Sequence, residues 1–131
     1  MMDVVKMMPM ATLLGIDLQS ANAEEVIGHL TVRPELCTAG EIVHGGTIMA
    51  FADCLGAVGA YLALPKGATM TTTIESKTNF LGGAPVGSLL IGTAKVVKAG
   101  KRISVWQTHI RTEAGEAVAL TTQSQLVLWP A

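Results

Sequence analysis

Asp53 is the only charged residue between Ile42 and Leu64, the chain's longest apolar run. An ionised carboxylate among Met49, Ala50, Ala52, Cys54, Gly56 and Ala57 costs several kcal/mol of desolvation unless it is paired or hydrogen-bonded. In such a setting it can attack an acyl carbon as a nucleophile or act as a general base on water. Nine positions earlier stands His44, followed by Gly45 and Gly46. Two glycines at a helix amino terminus present N–H groups without intrahelical partners, and the helix dipole adds to their pull on negative charge. A carbonyl becoming tetrahedral needs such donors, although the same dipeptide also suits a tight strand-to-helix turn. Thr69, Thr71, Thr72 and Thr73 follow, where a hydroxyl could position a water. Along one helix His44 and Asp53 would stand roughly 10 Å or more apart, at ~1.5 Å per residue. Contact between them is easier across a two-fold interface.

The elements that position these groups are legible in outline. From His44 onward at least four helical turns run without proline, so a helix buried nearly all round and wrapped by the later strands is expected. On it Met49, Asp53, Gly56 and Ala60 share a stripe whose small residues would let another backbone approach. Residues 3–14 read as a short amphipathic helix or a loosely held arm. Ile16 to Val32 reads as a hairpin turning at Asn22-Ala23-Glu24, and Arg33 to Glu41 as a loop. Pro65-Lys66-Gly67 stops the helix. Four strands are predicted at about 70–81, 87–98, 102–112 and 116–129, with Gly100 and Gly115 left-handed in tight turns. Short turns force antiparallel neighbours, giving an α+β domain whose antiparallel sheet curls around one long central α-helix.

A length of 131 residues suits a single domain, 1–131, with 1–14 as its N-terminal helix or arm. Half the residues are hydrophobic and 15% charged, which reads as surface buried in a homo-oligomer. No run of ~18 residues is free of polar interruption, so no membrane span is expected. The opening MMDVVKMMPMATLLGI lacks the arrangement of a secretory signal, since Asp3 and Lys6 interrupt it; a cytoplasmic location is expected. Cys37 and Cys54 give neither a disulfide framework nor metal-ligand spacing, so neither metal nor redox cofactor is implied. A net charge of −1 with five aromatics gives no support for nucleic-acid binding. His29 and His109 read as strand histidines at the surface.

HGGTIMAFAD at 44–53, followed by TTTIESKTNFLGGAPVGSLLIGTAKVVKAGKR at 71–102, resembles the hotdog-fold acyl-CoA thioesterases of the PaaI-like group. The resemblance implies the hotdog fold and hydrolysis of an acyl-CoA thioester to a carboxylic acid and free CoA. It implies that Asp53 is nucleophile or general base, that the Gly45 amide polarises the carbonyl, and that His44 holds the turn and the substrate. Thr73 would orient the attacking water, and Gly46 and Thr38 would contact substrate. Gly82, Gly83, Lys98, Lys101 and Arg102 would meet the CoA portion, the basic side chains facing phosphates. It further implies a homodimer or homotetramer with active sites at the dimer interface. Two positions depart from the family pattern, Thr38 in place of an amide and Glu41 in place of a glycine. A non-catalytic acyl-CoA-binding protein is the alternative, and an enoyl-thioester hydratase or dehydratase a further one.

Overall fold

The computed structural model describes residues 2–131, with side chains from Val4 onward. Two short helices, α1 (Met2–Lys6) and α2 (Pro9–Leu14), open the chain. Pro9 ends any continuous helix and starts the second one at its first turn, where proline lacks no needed N–H. The hairpin β1 (Asp17–Ala21) and β2 (Glu25–Thr31) follows, then a 3₁₀ turn (Pro34–Leu36) and a two-residue ladder of β3 (Cys37–Thr38) with β4 (Ile42–Val43). Helix α3 (Gly45–Leu62) precedes the long strands β5 (Met70–Phe80), β6 (Leu89–Ala99), β7 (Ile103–Thr112) and β8 (Ala117–Leu128). The six long strands form one antiparallel sheet in the order β1-β2-β6-β7-β8-β5, with α3 packed on its concave face. The expected hotdog arrangement is therefore observed.

Reciprocal size matching sets the helix-to-sheet distance. Phe51 and Leu55 of α3 sit over Gly28 and Gly92, which are cross-strand partners of β2 and β6; a Cβ at either would lie 2.7 or 2.5 Å from Leu55. On the other half of the sheet the roles reverse. Trp106 of β7 and Gln123 of β8 rise under Gly59 and Gly56 of the helix, where a Cβ would lie 2.5 and 2.1 Å away. Gly56 thus accommodates a side chain from the sheet rather than another backbone.

The inward face of the sheet is divided. Val26, Leu30, Leu90 and Ala94 make the β2–β6 half apolar, whereas the β8–β5 half turns Thr121, Gln123 and Gln125 inward, all buried. Thr71, Thr73, Ser76 and Thr78 are the half-buried face of β5, and a bulge at Thr73/Glu75 keeps Ser76 on it despite the odd spacing. Helix α3 leaves a stripe over this polar half uncovered: Met49 is exposed, and Ala50, Asp53, Ala57 and Tyr61 are half-buried. Burial nearly all round, expected from composition, is thus corrected; 56% of the helix is buried. Strand β5 is an edge, with Met70, Ile74 and Phe80 exposed.

Two turn expectations divide as well. Gly115 is left-handed at φ 96, but Gly100 is not. What Gly100 provides is clearance, since a Cβ there would lie 2.9 Å from the Ile103 carbonyl oxygen. Replacing Gly59 with alanine is expected to force Trp106 from its site and destabilise the fold by about 1–3 kcal/mol, the usual cost of overpacking. Urea unfolding checks this, and an unchanged midpoint would refute the proposed contact.

Candidate functional site

Helix α3 begins where a carbonyl gathers two donors: Leu36 O accepts from His44 N at 2.9 Å and from the buried Thr47 hydroxyl at 3.0 Å. His44 is the N-cap, extended at φ −69 and ψ 139, and its Nδ1 accepts from Gly46 N–H at 2.7 Å. A neutral imidazole accepting at Nδ1 carries its proton on Nε2. The N–H groups of Thr47 and Ile48 both reach His44 O. Of the first four helix amides this leaves Gly45 N–H without a partner among the described residues. Neither glycine is left-handed. Their service is space: a Cβ on Gly46 would lie 3.0 Å from His44 Nδ1, and one on Gly45 would lie 3.2 Å from Phe80. The sequence assigned both amides to a ligand; one of them is taken by the cap.

Asp53 lies two turns further on, half-buried at the uncovered stripe. Its Oδ1 accepts from Thr73 Oγ1 at 2.7 Å and from Gln123 Nε2 at 2.9 Å. Behind it runs a chain of donors: Thr71 Oγ1 to Gln125 Oε1 at 3.1 Å, and Gln125 Nε2 to Thr73 Oγ1 at 2.6 Å. The second carboxylate oxygen, Oδ2, has no protein partner among the described residues. Asp53 lines a surface recess together with Met49, Ala50, Thr73 and Ser76. Ser76 Oγ is buried there and makes no hydrogen bond. Thr73 was expected to orient a water, but its hydroxyl proton is committed to the carboxylate.

Gln123, Gln125 and Ser76 escaped the sequence reading. A signal existed: residues 121–125 and 71–73 are unbroken polar runs inside strands, and Thr73 pairs with Gln125, Ser76 with Gln123 and Thr78 with Thr121. A polar run in a strand ordinarily marks exposure, and only the register shows that every second residue points at the helix.

The remaining candidates are spread widely. His44 and Gly46 open into a recess with Met10, Leu13, Arg33 and Leu36, separate from that of Asp53. From Gly45 to Asp53 the helix advances roughly 12 Å at 1.5 Å per residue, so one chain does not present both to one small reacting group. Thr38 is exposed on β3. Glu41, where the family pattern has glycine, is the one non-glycine residue at positive φ among the described residues, 59°. Gly82 and Gly83 follow β5 near Phe80, which pairs with Ala119. Lys98, Lys101 and Arg102 lie at the opposite end, beside Ile103, which pairs with Leu126. Seven strand residues from Ala119 to Leu126, roughly 23 Å at 3.3 Å each, separate the two groups, so a single chain does not unite them. His29 is half-buried on the outer face and His109 exposed. Among the described residues no cluster of His, Cys, Asp and Glu could hold a metal ion.

Burial, and secondarily the neighbouring Asp53 charge, push the Cys54 thiol up to about 11. Its folded value exceeds the unfolded one, so its contribution to stability is complete below the unfolded pKa and is lost as pH rises toward 11. Iodoacetamide at pH 8 is expected to modify Cys37 and spare Cys54 until the fold opens; peptide mass mapping decides, and equal labelling of both would refute the burial.

A sequence model of the thioesterase superfamily matches residues 40–119. The chain is 26% identical over 121 residues to 1,4-dihydroxy-2-naphthoyl-CoA thioesterase 2 of Arabidopsis thaliana, covering 89% of this chain and 76% of that protein. The E. coli PaaI protein superposes with a TM-score of 0.87 at 22% identity, covering 97% and 89% of the two chains. A Streptococcus mutans protein, smu.793, solved with acetyl-CoA bound, gives 0.81 at 20% identity, covering 87% and 89%. The two superpositions support the fold.

Proposed function

The chain belongs to the thioesterase superfamily and is a thioester hydrolase, and we propose that it cleaves acyl-CoA with the Asp53 of one subunit and the helix terminus of another. The observation that carries this reading is the half-held carboxylate: Thr73 and Gln123 fix Oδ1, and Oδ2 is left without a protein partner on a residue that lines a recess. Fixed on one oxygen, the group keeps its orientation without losing its basic edge. A water seated against Oδ2 loses a proton to the carboxylate and adds to the thioester carbon. The oxyanion so formed takes the Gly45 N–H at the positive end of α3. Collapse expels the CoA thiolate, which takes up a proton. Thr73 is thereby a positioning residue for the carboxylate.

Two copies are needed because about 12 Å of helix divides the amide from the carboxylate. The unpaired edge of β5, with exposed Met70, Ile74 and Phe80, suits pairing with a second copy. Such pairing would also bring one subunit's Gly82-Gly83 end toward the other's Lys98–Arg102 hairpin, whose three cations are exposed. These would face the CoA phosphates, and His44 Nε2–H, Gly46 and Thr38 the atoms around the thioester.

Release of free thiol from a panel of acyl-CoAs tests the reading. Asp53→Asn keeps an acceptor at Oδ1 and removes the base, so kcat is expected to fall by about 10²–10⁴ with the fold retained. Binding of acyl-CoA without thiol release in the unaltered protein would point instead to a non-catalytic acyl-CoA-binding protein. Gly45→Pro removes the oxyanion donor, and Gly45→Ala, which adds the same Cβ 3.2 Å from Phe80 but keeps the N–H, is its steric control. Proline is favoured at the first helical position, and His44 already has the extended backbone that precedes proline. Loss of this one N–H is expected to lower kcat by about 10²–10³; an unchanged rate would remove the Gly45 amide from the mechanism. Under single turnover in ¹⁸O-water, Asp53 is expected to stay unlabelled, whereas label in its peptide would mark direct attack by the carboxylate through an anhydride.

A further inference from the structure

An apolar cavity of about 100 Å³ lies under the N-terminal arm. Its floor is Ala57 and Tyr61 of α3, its side wall Met70 and Thr71 of β5, and its roof includes Val4 and Met8. Both floor and wall continue those of the Asp53 recess. Asp53, Ala57 and Tyr61 fall at i, i+4 and i+8, one helical stripe, and Thr71 shares the inward face of β5 with Thr73 and Ser76. The Thr71 hydroxyl is turned to Gln125 and Leu126, so it offers its methyl rather than its polar edge to other groups. Arg33 anchors the far end of α2, the helix that follows the roof, by donating to the carbonyls of Leu13 and Leu14.

We propose that this cavity receives the far end of the acyl group, making the substrate an acyl-CoA with an uncharged, hydrophobic acyl chain of medium length. The inference rests on the hydrolase reading of Asp53. Attack occurs beside Asp53, and the cavity begins one turn along, roughly 6 Å, and ends about two turns along, roughly 12 Å. An acetyl group is too short to reach it. The volume is smaller than the ~150 Å³ that holds a benzene ring, so a bulky fused aromatic is excluded. Methionine on roof and wall lets the cavity adapt to the bends of an alkyl chain.

The test is kcat/KM for thiol release across saturated acyl-CoAs from acetyl to palmitoyl, with phenylacetyl-CoA as the arm that separates a ring from a chain. The constant is expected to rise about fourfold per methylene once the chain reaches the cavity, from ~0.8 kcal/mol per buried CH₂, and to stop rising when the cavity is full. Ala57→Leu fills the floor and is expected to lower the octanoyl-to-butanoyl ratio of kcat/KM by tenfold or more. Met8→Ala opens the roof and is expected to move the optimum to longer chains. Because the readout is a ratio within one preparation, partial unfolding cannot mimic it. A flat dependence on chain length, or variants that change every substrate equally, would overturn the inference while leaving the hydrolase reading intact. Absence of thiol release from all acyl-CoAs would overturn the hydrolase reading, and this inference with it.

Discussion

The close approach of α3 to its sheet is the constraint on which the rest of the structure depends. It is reached by exchanging large and small residues across the interface, Leu55 and Phe51 against Gly28 and Gly92 on one half, Trp106 and Gln123 against Gly59 and Gly56 on the other. A helix standing off by even a methyl group would lose the contacts on which a dense interior depends. It would also carry Asp53 out of reach of Gln123, whose 2.9 Å hydrogen bond spans the same gap that Gly56 keeps open. Packing and chemistry therefore share one determinant.

That determinant also accounts for the divided sheet. Beneath the buried flank of α3 the strands present aliphatic residues; beneath the flank that carries the carboxylate they present hydroxyls and amides. A half-buried charge in a wholly aliphatic setting would favour its neutral form or drag in water. Here Oδ1 instead meets two donors held by other donors, an arrangement in which each bond polarises the next. Ser76 Oγ and Gln123 Oε1 stay outside this network. Gln123 Oε1 is buried without a partner, as expected where the amide's orientation is dictated by the carboxylate on its other side.

The fold was legible because its signals are local. The helix start, the Pro65-Lys66-Gly67 stop and the four late strands all follow from residues within a few positions of one another, and the structure departs from the expected ends by a residue or two. Asp53 stood out because a lone charge in an apolar run demands an explanation. What supports it was not legible, since Gln123 lies 70 residues away and Gln125 lies 52 from Thr73. Alternation alone cannot say which face of a strand looks inward when both faces carry polar residues. Gly45 and Gly46 were read through their amides, whereas the structure gives them different duties, one amide open and one closed by His44. Gly100 was misjudged because a turn glycine can supply clearance to a carbonyl instead of a left-handed angle.

The position of β8 has a consequence for how the protein is made. It lies between β7 and β5, and β5 has no other neighbour within the chain. During synthesis the helix, Asp53 and β5 emerge long before residues 117–128, so β5 waits without a ladder partner and the carboxylate without its amide. The pairing that completes both joins residues 39 to 58 positions apart, and contacts of this kind are formed late because loop-closure entropy must be overcome first. The nascent chain therefore acquires its ordered carboxylate as nearly the last act of folding. A ribosome-bound fragment ending before β8 exposes an unsatisfied edge of the sort that recruits chaperones or aggregates.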